Sequence, residues 1–239
     1  MAYQSVFERR EIKYLLTRAQ QQRVLEAMAP YMARDDYGRT VICNIYFDTD
    51  NYRMIRHSLE HPVYKEKLRL RSYGAVQKNG NVFVEVKKKY RGTVYKRRIA
   101  MPEQQALDWL MNGAPPAAST QITREIDYLT RYYKDLHPVM YLSYEREAYY
   151  CRDGGDFRVT FDDTILCRTT DLSLHCPPSG AALLEEDQVL MELKCPGAIP
   201  LWMSHVLAEE KLYKTSFSKY GTAYQKLIFP HMKEDIFHV

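Results

Sequence analysis

The chain has 239 residues, 46% of them hydrophobic, which supplies one sizeable core and excludes disordered and fibrous classes. Lys and Arg number 34 against 30 Asp and Glu, and the net charge of +4 does not by itself suggest a nucleic-acid-coating protein. Only 10 glycines accompany 20 tyrosines, which disfavours the glycine-rich nucleotide loops of Rossmann and P-loop proteins.

In chain order, period-two alternation predicts a first strand over Val6–Tyr14, with Arg9, Glu11 and Lys13 on one face. Thr17 and Gln20 have capping-box spacing and open a helix expected to reach Met32. A strand at Val41–Asp48, a helix at Asp50–Leu59 and a strand at Lys65–Tyr73 follow. The strands Val82–Lys88 and Thr93–Ala100 flank Gly92, a hairpin signal. Helices are predicted at Glu103–Asn112 and Ile122–Lys134, and strands at Met140–Tyr150, Asp156–Asp162 and Val189–Cys195. Two further helices, Leu201–Tyr213 and Ser218–Phe229, close the list. This order suits an α+β fold, a mainly antiparallel sheet decorated by helices, and with no internal repeat or convincing linker residues 1–239 are read as a single domain.

The five cysteines, Cys43, Cys151, Cys167, Cys176 and Cys195, are scattered and contain no C-x-x-C pair, so reduced thiols are expected. The amino-terminal residues are charged rather than apolar, and no run approaches the roughly 18 apolar residues of a membrane span. The expectation is a cytoplasmic chain with no membrane segment.

The charge pattern is more informative than its total. Between Lys65 and Arg98 there are twelve Lys and Arg against Glu66 and Glu85 alone. In the strand beginning at Lys65, alternation puts Lys65, Lys67, Arg69 and Arg71 on one face and Leu68 and Leu70 on the other. Val82, Val84 and Val86 likewise leave Phe83, Glu85 and Lys87 opposite, and Lys96 and Arg98 share a face across the hairpin. Arg158, Thr160 and Asp162 alternate in one later strand, Leu190, Glu192 and Lys194 in another, and Tyr144 and Arg146 are aligned in a third. A solvated outer face with cross-strand ion pairs explains any one strand. If the sheet closes into a barrel, these faces instead line a tunnel, and a lumen dense in Arg and Lys calls for phosphates. Glu11, Glu85 and Glu192 among the cations then make sense as oxygen ligands for Mg²⁺ or Mn²⁺ bridging phosphate oxygens.

Eight motifs, in order, resemble the VTC (vacuolar transporter chaperone) polyphosphate polymerase domain of the triphosphate tunnel metalloenzymes. They are Phe7-Glu-Arg-Arg-Glu-Ile-Lys-Tyr14, Tyr46-Phe-Asp-Thr49, Lys67-Leu-Arg-Leu-Arg71 with Tyr73-Gly74, Val84-Glu-Val-Lys87, Lys96-Arg-Arg98, Tyr144-Glu-Arg146, Leu190-Met-Glu-Leu-Lys194 and Ser216-Phe-Ser-Lys-Tyr220. The resemblance implies a closed antiparallel β-barrel with surrounding helices and metal-dependent transfer of the ATP γ-phosphate onto inorganic polyphosphate. It implies Lys13, Arg69, Arg71 and Arg146 as the catalytic cations, and Lys87, Lys96, Arg98, Tyr144, Ser218 and Lys219 as phosphate-binding groups. Glu192 is the implied ligand of Mn²⁺ or Mg²⁺, with Glu11 and Glu85 as possible additional metal or tunnel acids. Arg9 stands where the superfamily often has the first Glu of Glu-x-Glu-x-Lys, which argues against a two-metal hydrolytic arrangement. Ser216 stands where fungal relatives place a basic residue, which implies weaker phosphate affinity at that end.

Other readings compete. A tunnel triphosphatase would use water in place of the phosphate acceptor, and a non-catalytic module would bind polyphosphate without turnover. Basic strands with Tyr73, Tyr90 and Tyr95 also suit a nucleic-acid surface, but the acids on the same faces argue against specific nucleic-acid binding. His57-Ser-Leu-Glu-His61 matches H-x-x-E-H, although Pro62 would cut short the helix that a zinc site needs.

Overall fold

A computed structural model describes residues 10–78, 80–114, 116 and 118–232. The chain runs β1 (Arg10–Thr17), α1 (Arg18–Met28), β2 (Met32–Arg34), β3 (Thr40–Asp48), α2 (Arg53–Leu59), β4 (Tyr64–Tyr73), β5 (Asn81–Tyr90) and β6 (Thr93–Pro102). It continues through α3 (Glu103–Asn112), α4 (Gln121–Tyr133), β7 (His137–Cys151), β8 (Arg158–Arg168), β9 (Ala181–Ala182), β10 (Gln188–Cys195), α5 (Leu201–Glu209), β11 (Lys214–Thr215) and α6 (Lys219–Leu227).

The strands form one antiparallel sheet in the order β11-β1-β10-β8-β7-β3-β4-β5-β6, with β2 added to β7 and β9 to β8. The expected closed barrel is therefore corrected: among the described residues no backbone ladder joins β6 to β1, and the sheet is not closed. Side chains cross the gap instead, with Lys87 Nζ on β5 lying 2.6 Å from Glu11 Oε2 on β1.

Local chemistry sets the element ends. The capping box opens α1: the Thr17 hydroxyl accepts from the Gln20 N–H at 3.2 Å, and the Gln20 side chain accepts from the Thr17 N–H at 2.9 Å. The helix stops at Met28 rather than Met32 because Pro30 has no N–H to donate; Met32–Arg34 then pair with Tyr149–Cys151. Residue Tyr52 enters α2 at φ 56°, and Asp48 caps the helix from the end of β3, accepting from the N–H of Met54 at 2.8 Å and of Ile55 at 3.0 Å. Of the expected first strand, residues 6–9 lie outside the described residues. Strand β8 starts later than Asp156 and runs past the expected end at Asp162 to Arg168, because Thr164 at φ 45° falls where the β7 pairing slips register and the ladder resumes.

The pleat divides side chains between two apolar clusters outside and a charged interior. Leu68, Leu70, Val82, Val84 and Val86 are fully buried under Ala106, Trp109 and Leu110 of α3 and Ile126 and Leu129 of α4. Leu16, Val159, Val189, Met191 and Leu193 pack on Val24 and Met28 of α1 and Met203, Val206 and Leu207 of α5. A third cluster is internal: Tyr220, Ala223 and Tyr224 of α6 pack on Ile42, Tyr46, Leu142, Tyr144 and Leu190. Helix α6 thus fills part of the interior and turns its first residues toward the rest. All five cysteines are free thiols, as expected. No helix among the described residues is long and apolar enough to cross a membrane.

Candidate phosphate-binding cavity

The interior faces of β1, β3, β4, β5, β6, β7 and β10, with the segment 214–220, line a cavity of about 730 Å³. Of the residues singled out in the sequence, Glu11, Lys13, Arg69, Arg71, Lys87, Lys96, Tyr144, Arg146, Glu192, Ser218 and Lys219 all border it. Residue Arg98 is exposed and lies outside the lining, its guanidinium carbon 4.9 Å from the Phe83 ring centroid. Glu85 is buried behind the surface at 1% exposure.

Each acid serves several cations. Glu85 Oε2 accepts from Arg69 Nε at 2.9 Å and Nη2 at 2.7 Å; Arg71 Nε lies 3.6 Å away and Lys96 Nζ reaches Oε1 at 2.7 Å. Burial would raise its pKa, but Arg69, Arg71 and Lys96 hold it well below the usual carboxylate range. Asp162, fully buried, binds Arg146 Nη2 at 2.7 Å and also Lys219. Burial raises the Asp162 pKa and these two cations outweigh it, bringing it to about 2. Glu192 lies 3.0 Å from Lys194 Nζ and 3.9 Å from Lys13 Nζ. Its pKa stays well below normal because Lys194, Lys13 and Lys87 overcome burial.

The cations outnumber these partners. Lys67 donates to Ser218 Oγ at 2.9 Å, and among the described residues it has no carboxylate in ion-pair range. Burial, followed by repulsion from Lys13 and Lys87, lowers its pKa to about 7. Lys13 falls to about 8 through burial, opposed by Glu192, and Lys96 to about 8 through burial, opposed by Glu85. Burial would raise the Tyr144 phenol, yet Arg71, Arg146 and Lys219 bring it down to about 8; its hydroxyl accepts from Arg71 Nη2 at 3.1 Å. Burial thus lowers the pKa values of Lys13, Lys67 and Lys96 below that of a free lysine, for Lys67 with repulsion from its cationic neighbours added.

Two residues were missed in the sequence. Lys67 shares the face of Lys65, Arg69 and Arg71 and was legible by parity, but its bond to α6 was not. Asp162 is placed on a charged face by parity, but its partners were not legible; in register opposite Arg146, it is the internal counter-ion, while the adjacent Asp163 faces out and pairs with Arg18 and Arg39. The H-x-x-E-H segment makes no zinc site: α2 ends at Leu59, and His61 has a φ of 55°.

Among the described residues, no cluster of three or more His, Cys, Asp or Glu forms a metal cage. The donor set nevertheless fits a divalent ion shared with phosphate. Glu192 and Glu11 project from adjacent strands, register partners of Lys13 and Lys194 respectively, and Mg²⁺ commonly takes one or two carboxylates with its other ligands from phosphate and water. Beside Glu192 in register stands Thr160, whose buried Oγ1 has no hydrogen-bond partner among the described residues. Glu85 instead lies in ion-pair range of Arg69, Arg71 and Lys96.

The VTC domain profile matches residues 8–228. Among solved structures, a proposed adenylate cyclase from Bacillus halodurans superposes with a TM-score of 0.55 at 13% identity, covering 93% of this chain and 100% of that one. A proposed adenylyl cyclase from Hippeastrum, described as having a dominant triphosphatase activity, gives a TM-score of 0.55 at 14% identity over 92% of this chain and 96% of that one. At such identities the likeness shows a shared α+β fold with a large antiparallel sheet. No curated protein matches the chain.

Proposed function

Because the chain belongs to the VTC domain family, we propose that its cavity transfers the γ-phosphate of ATP to the end of an inorganic polyphosphate chain. The observation that carries the reading is the convergence of Lys13, Lys67, Arg69, Arg71, Lys87, Lys96, Arg146 and Lys219 on one cavity of about 730 Å³, with fewer carboxylates than cations facing it. Such an interior is stable only with anions inside or lysines partly neutral, and the Lys67 pKa of about 7 reflects the second condition.

In the proposed step a terminal polyphosphate oxygen attacks the γ-phosphorus, the bond from that phosphorus to the β–γ bridging oxygen breaks, and ADP leaves with the electron pair. No covalent enzyme intermediate is needed. Arg69 and Arg146, each anchored by a buried carboxylate, offer their remaining donors to the equatorial oxygens of the transferred group. Lys13 and Lys87 carry compact charge beside Glu192 and Glu11, and Ser218 with Lys219 presents the start of α6 to a phosphate. Glu192, assisted by Glu11, would hold Mn²⁺ or Mg²⁺, and the ion would supply positive charge against the phosphate oxygens.

Incubation of the protein with ATP and Mn²⁺, with products resolved by size, tests the reading: long phosphate chains plus ADP support it, and orthophosphate as the only phosphate product refutes it. That second outcome is the triphosphatase reading, which the activity of the Hippeastrum protein favours. Tight binding without turnover would leave a polyphosphate-binding module.

A further inference from the structure

Outside the cationic cavity lies a second void, of about 760 Å³, between α2 and α4. One wall is aromatic: Tyr128, Tyr132 and Tyr133 of α4, with Tyr64 at the start of β4. The Tyr128 and Tyr132 rings are 15° from parallel with centroids 6.2 Å apart, and Tyr133 stands edge-on to Tyr132 at 5.0 Å. These rings serve little as core, since Tyr128 is 71% and Tyr132 52% exposed. The facing wall is basic, with Arg53, Arg56 and His57 of α2. The Arg53 guanidinium carbon lies 5.2 Å from the Tyr132 centroid and 5.4 Å from that of Tyr133, and Nη2 donates to the Tyr132 hydroxyl at 3.2 Å. At the floor the nearly buried Glu66 accepts from the Tyr64 hydroxyl at 2.6 Å, with Tyr133 also bonded to it.

The position of this cleft narrows its ligand. Glu66 borders both voids, and α2 separates them: Arg53, Arg56 and His57 face the cleft, while Ser58 and Leu59 face the cavity. Exposed near-parallel phenols stack flat rings, a guanidinium stacked beside them adds a donor and a positive charge, and a buried carboxylate accepts from an exocyclic amine. A ligand with an aromatic base at one end and phosphates at the other satisfies both voids. We infer that the α2–α4 cleft is a nucleobase site, holding the base of a nucleoside triphosphate whose phosphates occupy the cavity. The inference deepens the nucleotide reading above and rests on it, because inorganic triphosphate has nothing to place there.

Calorimetric titration of the full chain with ATP and, separately, with tripolyphosphate tests the site in wild type, Tyr132→Ala, and Tyr128→Ala/Tyr132→Ala. Both tyrosines are exposed, so the variants retain the core. Stacking of a single base is worth roughly tenfold in affinity. The expected result is an ATP affinity roughly tenfold lower in the double variant with tripolyphosphate affinity unchanged. Equal losses for the two ligands, or an undiminished ATP affinity, would overturn the site. Failure of tripolyphosphate to bind wild type would sink the cavity reading instead. The cleft is then judged with AMP alone by NMR: saturable shifts of the Tyr128 and Tyr132 ring resonances support it, and their absence refutes it. A single-stranded RNA oligonucleotide that displaces ATP from the cleft would replace the mononucleotide assignment.

Discussion

Replacing Glu85 by Gln removes one negative charge from a buried cluster and leaves the shape almost unchanged. Four contacts are affected: two from Arg69 at 2.9 and 2.7 Å, one from Lys96 at 2.7 Å and one from Arg71 at 3.6 Å. At an effective dielectric of about 20, a unit pair near 3 Å is worth roughly 5 kcal/mol before desolvation. Desolvation offsets much of this, and removing one partner from a buried pair costs about 3–5 kcal/mol, because uncompensated charge remains. For a chain of this size about 2–4 °C accompanies each kcal/mol, so the melting midpoint should fall by roughly 6–20 °C. The three stranded cations should then be satisfied by an external polyanion, since a ligand that binds only the folded state stabilises it by mass action. Thermal melts of wild type and Glu85→Gln, with and without tripolyphosphate, provide the assay. The mutant should gain more from the ligand, narrowing the difference by roughly half at saturation. A midpoint within about 2 °C of wild type without ligand, or a gap unaltered by tripolyphosphate, would refute the account of Glu85 as internal counter-ion.

Arg69→Ala should lower ATP-dependent phosphate transfer by at least about 100-fold while far-ultraviolet circular dichroism stays native, and wild-type turnover would remove Arg69 from the mechanism. Glu192→Gln should abolish the metal dependence of turnover together with turnover itself, and a mutant still fully activated by Mn²⁺ would count against the ligand role. With folded pKa values of about 7 for Lys67 and about 8 for Lys13, below the unfolded 10.5, the unfolded chain binds more protons between these values. The ligand-free protein should therefore gain stability as pH rises from 7 toward 10, and tripolyphosphate binding at pH 8 should take up protons, read by calorimetry in buffers of different ionisation enthalpy. Asp162 has the opposite sign: with a folded pKa of about 2, its contribution is complete above the unfolded value near 4 and is lost as pH falls through 2, so Asp162→Asn should flatten the acid limb of the stability profile.

Much of the cavity is legible in the sequence because a strand has period two. The parity of Lys65, Lys67, Arg69 and Arg71 against Leu68 and Leu70 determines which side chains share a face, whatever the neighbouring strands do. The Thr17–Gln20 capping box is likewise local, and so is the break at Pro30, which ends the helix at Met28 short of the expected Met32. Parity does not say whether a face points inward or to water. That was decided by the packing of α3, α4, α1 and α5 onto the apolar faces, which left the charged ones inside. The sequence also gave no sign that the ladder would leave its edges unjoined and be bridged by Lys87 and Glu11, residues 76 positions apart. Nor could it place Asp162 against both Arg146 and Lys219, or α6 within the sheet's interior, since these meetings depend on the accumulated twist and register of several strands. The alternation of charge was determined by the sequence alone. Its conversion from a solvated surface into a cationic cavity was decided by the tertiary structure, through the burial of the opposite faces.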